Sequence, residues 1–434
     1  MSDFAIPIFS TEPLVAHRSA TDREVRIVSL LLLALVVLPH FSLRSNLEDV
    51  SYGLIDAQLL LRLGLCALCG LYGLANLSRV MALLNCFPLA WMLLLAAVTV
   101  ATVPLAVDPR AALSSSAVLW SMLLFVPAAL LKLGTRRTLR VILLGSAVYL
   151  IGQWLLYFLA PEYGQGVELL PNGDAIYRVG ADSQQLGFQS VVTVGLALIL
   201  LRRGQLSARW HWILLALATV TLLGARSRTA AIAVIVAASA VLVRRLSPAR
   251  RALLVGGGAV AVCLAYLLLS SGFSAAHFEN VEASLARSGN SEEIESFTGR
   301  SDIWHFVWKK IEQKPILGWG YCCSIAASQE LDPFLRHAHN EVLNGALGLG
   351  IVGTIPLLGM FLQQLLGIWR TVDELPLFVT MATIIAGMTE PVLFITMPTV
   401  LLILWIVVLC RQEHDLPSPG RLLDVNPAQS ETSR

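Results

Sequence analysis

The sequence predicts an all-α polytopic membrane protein with about twelve transmembrane helices and one long external loop that carries amphipathic helix. Three observations predict it. Of 434 residues, 56% are hydrophobic and only 14% are charged, against about 25% charged in a soluble domain. The apolar residues fall into blocks on the scale of a bilayer crossing, roughly 17–25 residues. The basic residues collect in alternate short links between those blocks. The net charge of +2 is spread over these links and not over one face, so nucleic acid is not an expected partner, whereas membrane lipids are.

In chain order, residues 1–26 read as a cytoplasmic tail, because no basic start is followed by an apolar core and a small-residue cleavage site. Apolar blocks then follow at about 27–43, 54–76, 80–106, 112–131, 139–160, 187–201, 208–224, 228–243 and 252–271, which gives helices 1–9 in residues 27–271. After a long loop at 272–340, blocks at 341–368, 376–389 and 397–410 give helices 10–12 in residues 341–410. Residues 411–434 are a polar cytoplasmic tail. Lys132, Arg136, Arg137 and Arg140 fill one link, Arg202, Arg203 and Arg209 a second, and Arg244, Arg245, Arg250 and Arg251 a third. The excess of basic residues on the cytoplasmic side places these links there. Arg18, Arg23 and Arg26 put the N-terminus on the same side.

The loop 272–340 is too long for its charges to govern topology. Within it, Ile303, Val307 and Ile311 share one helical face with Trp304 and Trp308 beside it, Asp302 near the start and Lys309, Lys310 and Lys314 near the end. Thr298 or Ser301 is placed to cap this helix, and Pro315 stops it. Such a helix either lies flat on the membrane or packs on the bundle. Cys66 and Cys69 are spaced C-x-x-C inside an apolar helix and read as small core residues; Cys322 and Cys323 are adjacent, where a disulfide would be strained.

Three arginines stand on the external side, against the charge trend: Arg178 in the 161–186 link, and Arg226 and Arg228 in a link of a few residues. The guanidinium is a planar fork of donors that matches phosphate oxygens. Gathered together, such forks form a diphosphate clamp; dispersed, they pair with Glu162, Asp174, Asp182, Glu390 or lipid head groups. Arg62 lies inside the second apolar block, where an ionisable residue faces the bundle interior, either as a structural partner or toward a lipid-linked substrate. Glu390 precedes Pro391 at the external end of a helix, where it can orient an arginine or a histidine, or cap the next helix.

His337 and His339 sit where the long loop re-enters the membrane. Histidine is suited to take a proton from a sugar hydroxyl, with Asn340 or Glu341 to orient it. Gly318-Trp319-Gly320 offers an aromatic turn suited to stacking on sugar, and Arg300 follows a glycine in the same loop. The H-x-H spacing also invites zinc, but these two histidines lack an evident third ligand nearby, so no metal is expected. The sequence holds no serine-hydrolase elbow, phosphate-binding loop or dinucleotide-binding fingerprint.

The stretch Gly299-Arg300-Ser-x-Ile-Trp, then Lys314-Pro315-x-x-Gly318-x-Gly320, His339-Asn340-x-x-Leu343 and Gly348-x-Gly350-x-x-Gly353 resembles the signature of the O-antigen ligase and O-antigen polymerase superfamily. Arg178-x-Gly180 and Ser227-Arg228-Thr229 fit the same pattern, over roughly residues 176–400. Where members often carry a His-Pro-Asn-like stretch, this chain reads Asp182-Ser-Gln-Gln185. The resemblance implies a metal-independent, inverting glycosyltransferase of the bacterial inner membrane with its site on the periplasmic face and no cofactor. The donor would be a glycan on undecaprenyl diphosphate. The acceptor would be lipid A-core for a ligase, or a growing glycan for a polymerase. His339 would be the base; Arg178 and Arg228, with Arg226 beside them, would bind the diphosphate; Arg300, His337, Asn340, Glu390 and Trp319 would support the donor or the acceptor side. A transporter is the competing class, but it would need internal repeats and a midplane site, and no clear repeat is present.

Overall fold

The computed structural model describes residues 21–41, 57–84, 87–169, 175–180, 182–244, 246–247, 250, 300–328, 337–370, 373–393, 396–397 and 399–411. The expected helix at 252–271, most of both tails and the first part of the long loop lie outside the described residues.

The chain is helical over most of this length. Helix α1 spans Asp22–Val37, α2 Ala57–Ala75, α3 Leu77–Leu84, α4 Phe87–Ala101 and α5 Pro109–Leu159. A short turn, α6 (Pro161–Gly164), leads to strands β1 (Gln165–Leu169) and β2 (Ala175–Val179). Next come α7 (Ser183–Arg202), α8 (Ala208–Ala225) and α9 (Arg228–Val243). After the long loop's first part, α10 spans Arg300–Gln313, α11 Ser324–Ser328, α12 Glu341–Arg370, α13 Glu374–Gly387 and α14 Val400–Arg411. Among the described residues, five helices (α2, α5, α7, α8 and α12) are long and apolar enough to cross a membrane, and shorter apolar helices lie in α4, α9, α13 and α14.

Helix starts follow local chemistry. Thr21 accepts from the Glu24 N–H, so α1 begins ahead of the expected tail boundary at 26. Asp108 accepts from the Arg110 and Ala111 N–H groups, with Pro109 at the first helical position of α5. Within this span the expected blocks 112–131 and 139–160 are two helices joined across a kink at Gly134, at φ 68° and ψ 161°, inside the gap expected between them. Glycine has no Cβ to oppose that conformation.

One departure from an all-α chain is the antiparallel hairpin of β1 and β2, in which Gly166 faces Arg178. It holds Arg178 on a strand and not in a loose link. Strand β2 lies against α8, and the Gly224 position of α8 approaches Val179 so closely that a Cβ there would stand 2.8 Å from its side chain.

The core joins α5 to α1 and α2, α7 to α8, α9 to α13, and α12 to α4. Helix α14 is buried on all sides from Val400 to Cys410, as expected of a helix apolar all round. Cys66 and Cys69 belong to this core as free thiols, as read from the sequence. Cys322 and Cys323 are also free thiols, and burial pushes both up, Cys323 to about 11. Arg62 takes the structural reading: with Gln58 it donates to the Phe41 carbonyl that ends the α1 segment.

The bundle has two chemically distinct ends. Helices α7 and α13 run antiparallel. At one end Arg202 pairs with Glu374 at 3.0 Å and Arg203 with Asp373. Lys132 pairs with Glu24 at 2.6 Å, and Arg140 donates to the Gln205 carbonyl. Links that the charge pattern assigns to one side thus meet at one end. At the other end of α7, Gln184 reaches Glu390 just beyond α13.

Helix α10 packs on the bundle: Val307 and Ile311 bury against Ala338 and Leu347, while Trp308 stays exposed. The turn after it is sewn to α12. Trp319 N–H donates to Leu347 O, Gly320 N–H to Gly348 O and Ile351 N–H to Pro315 O. This turn fits against a break in α12 at Gly350, where φ is 60° and ψ is −158°. A Cβ on Gly350 would stand 2.3 Å from Ile316 O. Gly350→Ala is expected to lose about 1–3 kcal/mol from the backbone conformation alone. Thermal unfolding in detergent checks it: a lower midpoint is expected, whereas an unchanged one would contradict this packing.

Candidate active site

The site is built from the residues that end one element and begin the next. Ala338 is fully buried against Val307 and Leu347, and the Trp304 indole donates to its carbonyl at 3.0 Å. This anchors the middle of His337-Ala338-His339 and leaves the two imidazoles on one side, ring centroids 4.2 Å apart. His339 has φ 48°, a left-handed conformation uncommon for a residue with a Cβ. Asn340 then caps α12, accepting from Leu343 N–H at 3.0 Å, and its amide donates to Met388 O at 3.1 Å. The loop is thereby tied to the end of α13.

That tie brings in Glu390. His339 Nδ1 lies 3.0 Å from Glu390 Oε1, and His337 Nε2 lies 3.7 Å from Oε2. Gln184 Nε2 donates to Oε1 at 2.6 Å. Glu390 is 3% exposed. Burial pulls its carboxyl upward, but the His339 hydrogen bond, the charges of His339 and His337 and the Gln184 amide outweigh this and hold it below the usual carboxylate value. An ionised carboxylate only accepts. The contact therefore places the His339 proton on Nδ1 and leaves the lone pair on Nε2, which is the tautomer a general base needs.

Of the groups expected to orient a histidine, Asn340, Glu341 and Glu390, it is Glu390 that meets His339. Asn340 is a helix cap, and Glu341 accepts from the Val392 and Leu393 N–H groups. The carboxylate that holds His339 is Glu390, 51 residues further on. Trp319 is packed with Val307 and Ile311; its indole donates to Lys310 O at 2.9 Å, and Lys314 Nζ stands 4.3 Å from its ring centroid. Its role is to lock the turn, and it is not among the groups that meet at Glu390. Arg300 opens α10, and its side chain lies outside the described residues.

Arg178 and the start of α9 at Arg228 lie at the same end of the bundle as Glu390. Arg178 Nη1 lies 3.4 Å from Ser183 Oγ, one residue before Gln184. Thr229, next to Arg228, meets Thr389, next to Glu390, with the two hydroxyl oxygens 2.7 Å apart. A Cβ on Gly187 would lie 2.9 Å from Ser227 Oγ, so α7 and the start of α9 touch here. The partner of Arg178, Ser183, thus stands beside the Gln184 that donates to Glu390, and Arg228 stands beside the Thr229 that meets the neighbour of Glu390. Arg226 is exposed and ends α8 in a left-handed cap, with φ 51°. Asp182 accepts from the Gln185 N–H to cap α7, so Asp182–Gln185, where the sequence departs from the superfamily pattern, both starts a helix and supplies the Glu390 donor.

Glu390→Gln tests this arrangement. The glutamine carbonyl keeps accepting from Gln184 and from Nδ1–H of His339, but the negative charge that stabilises the imidazolium formed on proton transfer is gone, so transfer is expected to fall about a hundredfold. Rates near wild type would remove Glu390 from the site.

Residues 213–358 match the family model described as O-Antigen ligase. The chain therefore resembles the O-antigen ligase superfamily. The match takes in Arg226, Arg228, Arg300, His337 and His339; Arg178 and Glu390 fall outside it. A protein of Rickettsia conorii named "Putative polysaccharide ligase" is 42% identical over 64 residues, which is 12% of this chain and 16% of the relative. A similarly named protein of Rickettsia typhi is 37% identical over 84 residues, 17% of this chain and 20% of the relative. The chain thus spans a fifth or less of the length of these relatives.

Proposed function

We propose that this protein is a multi-pass glycosyltransferase of the O-antigen ligase type. It moves a glycan from undecaprenyl diphosphate to a hydroxyl of lipid A-core at the periplasmic face of the inner membrane. The observation that carries the reading is the meeting of His339 with buried Glu390, at the bundle end where Arg178 bonds Ser183 and α9 begins at Arg228. About twelve crossings, with the basic links inside, put that end outside the cytoplasm.

In this reading Arg178 and Arg228 receive the diphosphate, and Arg226 adds positive charge at the rim. The acceptor hydroxyl gives its proton to His339 Nε2 as its oxygen attacks the anomeric carbon. The bond to the diphosphate oxygen breaks, and the leaving diphosphate keeps the electron pair beside the guanidinium groups. One displacement inverts the anomeric centre. The transfer itself assigns no step to a metal, because fixed guanidinium charges meet the charge that develops. The carboxylate at the site is engaged by His339, Gln184 and His337, which suits orientation better than a covalent glycosyl intermediate.

The test uses the purified full chain in nanodiscs with a polyprenyl-diphosphate-linked glycan and lipid A-core. Glycan on lipid A-core is the expected product. Chain growth on the carrier alone would replace ligation with polymerisation, the same chemistry on another acceptor.

A further inference from the structure

We propose that His337, His339 and Glu390 form a binding site for one zinc ion, and that zinc bound there switches the transfer off. The inference rests on the reading of His339 as the base and adds a regulator to that site.

One ligand atom from each of the three residues can be chosen so that all three lie within 4.8 Å of one another. Tetrahedral zinc with bonds of about 2.0–2.1 Å holds its donors about 3.3–3.4 Å apart. His339 Nδ1 lies 3.0 Å from Glu390 Oε1 and His337 Nε2 lies 3.7 Å from Oε2, so each imidazole has a carboxylate oxygen close to that distance, and a small rotation of the carboxylate brings one oxygen between them. Two imidazoles and a carboxylate are a zinc-type donor set that leaves a fourth position for water. The setting is already built. Ala338 fixes the H-x-H backbone, the ring centroids stand 4.2 Å apart, and Gln184 donates to Glu390 Oε1, as a partner to a ligand does.

The consequence for the base follows from proton position. Without metal, Nδ1–H of His339 donates to Glu390, and Nε2 has the lone pair. Zinc takes the lone pair of Nδ1, so the ring proton moves to Nε2. The imidazole gains and loses no proton, but Nε2 changes from acceptor to donor and can no longer receive the acceptor hydroxyl's proton. Zinc also draws His337 and Glu390 into its shell.

Calorimetry on the chelator-stripped full chain in nanodiscs, titrated with zinc chloride, tests the site without reference to activity. One zinc per chain is expected, and His337→Ala is expected to weaken it by about tenfold to a hundredfold, as loss of a metal partner does. Cobalt(II) added to the unaltered chain gives the visible bands of a four- or five-coordinate site and needs no variant to fold. In parallel, zinc at about ten times its dissociation constant is expected to cut transfer to about one tenth, with recovery on chelation. His337→Ala is expected to shift the inhibiting concentration, relative to its own zinc-free rate, by the same factor as the affinity. No zinc binding, six-coordinate cobalt spectra or unchanged affinity in His337→Ala would overturn the site. Transfer that rises with zinc would overturn the inhibition. Loss of the transfer reading alone would leave the calorimetric result standing, so the two failures are distinguishable.

Discussion

His339→Ala lowers glycan transfer by about three orders of magnitude while the protein stays folded, within the range typical of a lost general base. The side chain projects from a segment whose fixed points lie elsewhere: Ala338 is buried against α10 and α12, and Asn340 caps α12. Removing the imidazole leaves both anchors in place. The loss is therefore expected in kcat, with donor binding little changed, since the proposed diphosphate contacts of Arg178 and Arg228 are untouched. His339→Gln separates the roles further, since it keeps a polar group beside Glu390 but offers no basic nitrogen. It is expected to be as inactive as alanine. Steady-state rates with unaltered thermal unfolding check both; transfer within tenfold of wild type would remove His339 from proton transfer.

Arg178→Ala and Arg228→Ala each lower transfer by about tenfold to a hundredfold, at about 1.5–3 kcal/mol for a hydrogen bond to a charged group. Together they fall by more than either alone. Charge on the diphosphate grows as the glycosidic bond breaks, so part of the loss lies in kcat and part in donor KM. Arg228→Lys keeps the charge but not the planar fork, and recovers part of the rate. Arg178 lies on a strand and Arg228 at a helix start, and neither variant removes a packed apolar group. A double variant with a wild-type donor KM and rate would show that these guanidiniums pair with protein or lipid instead.

Much of the helical plan was legible because lipid and core impose the same demand on a helix. Apolar blocks at 208–224 and 228–243 became Ala208–Ala225 and Arg228–Val243 with little change. Block boundaries moved where a cap decided them: Thr21 started α1 early. The gap read between two blocks at 132–138 holds the kink at Gly134 that separates two helices. The hairpin was missed although Pro171-Asn172-Gly173-Asp174 between two short mixed segments is a turn signal. Reading for long apolar blocks passes over five-residue strands.

The site was legible in its parts and not in its connections. His339 and the external arginines stood out by residue type and by the side of the membrane expected for them. Their mutual placement depends on contacts between residues far apart in sequence: Gln184 with Glu390, Thr229 with Thr389 and His339 with Glu390. Proximity in sequence favoured Asn340 and Glu341 as the orienting groups, yet the first is spent on a helix cap and the second on the Val392 and Leu393 N–H groups. The same long-range contact supplies the third zinc donor that the H-x-H pair lacked. Trp319 was singled out for its flexible, glycine-flanked turn, but those glycines are there for close approach of backbone to backbone.

The central claim is that His339 drives a displacement at a polyprenyl diphosphate. The measurement that tests it most directly follows both products in nanodiscs carrying the zinc-free chain: glycosylated lipid A-core and released undecaprenyl diphosphate. One diphosphate per glycan transferred is the predicted result, with both products lost together in His339→Ala. Transfer without release of diphosphate, or release that continues undiminished in His339→Ala, would contradict the account.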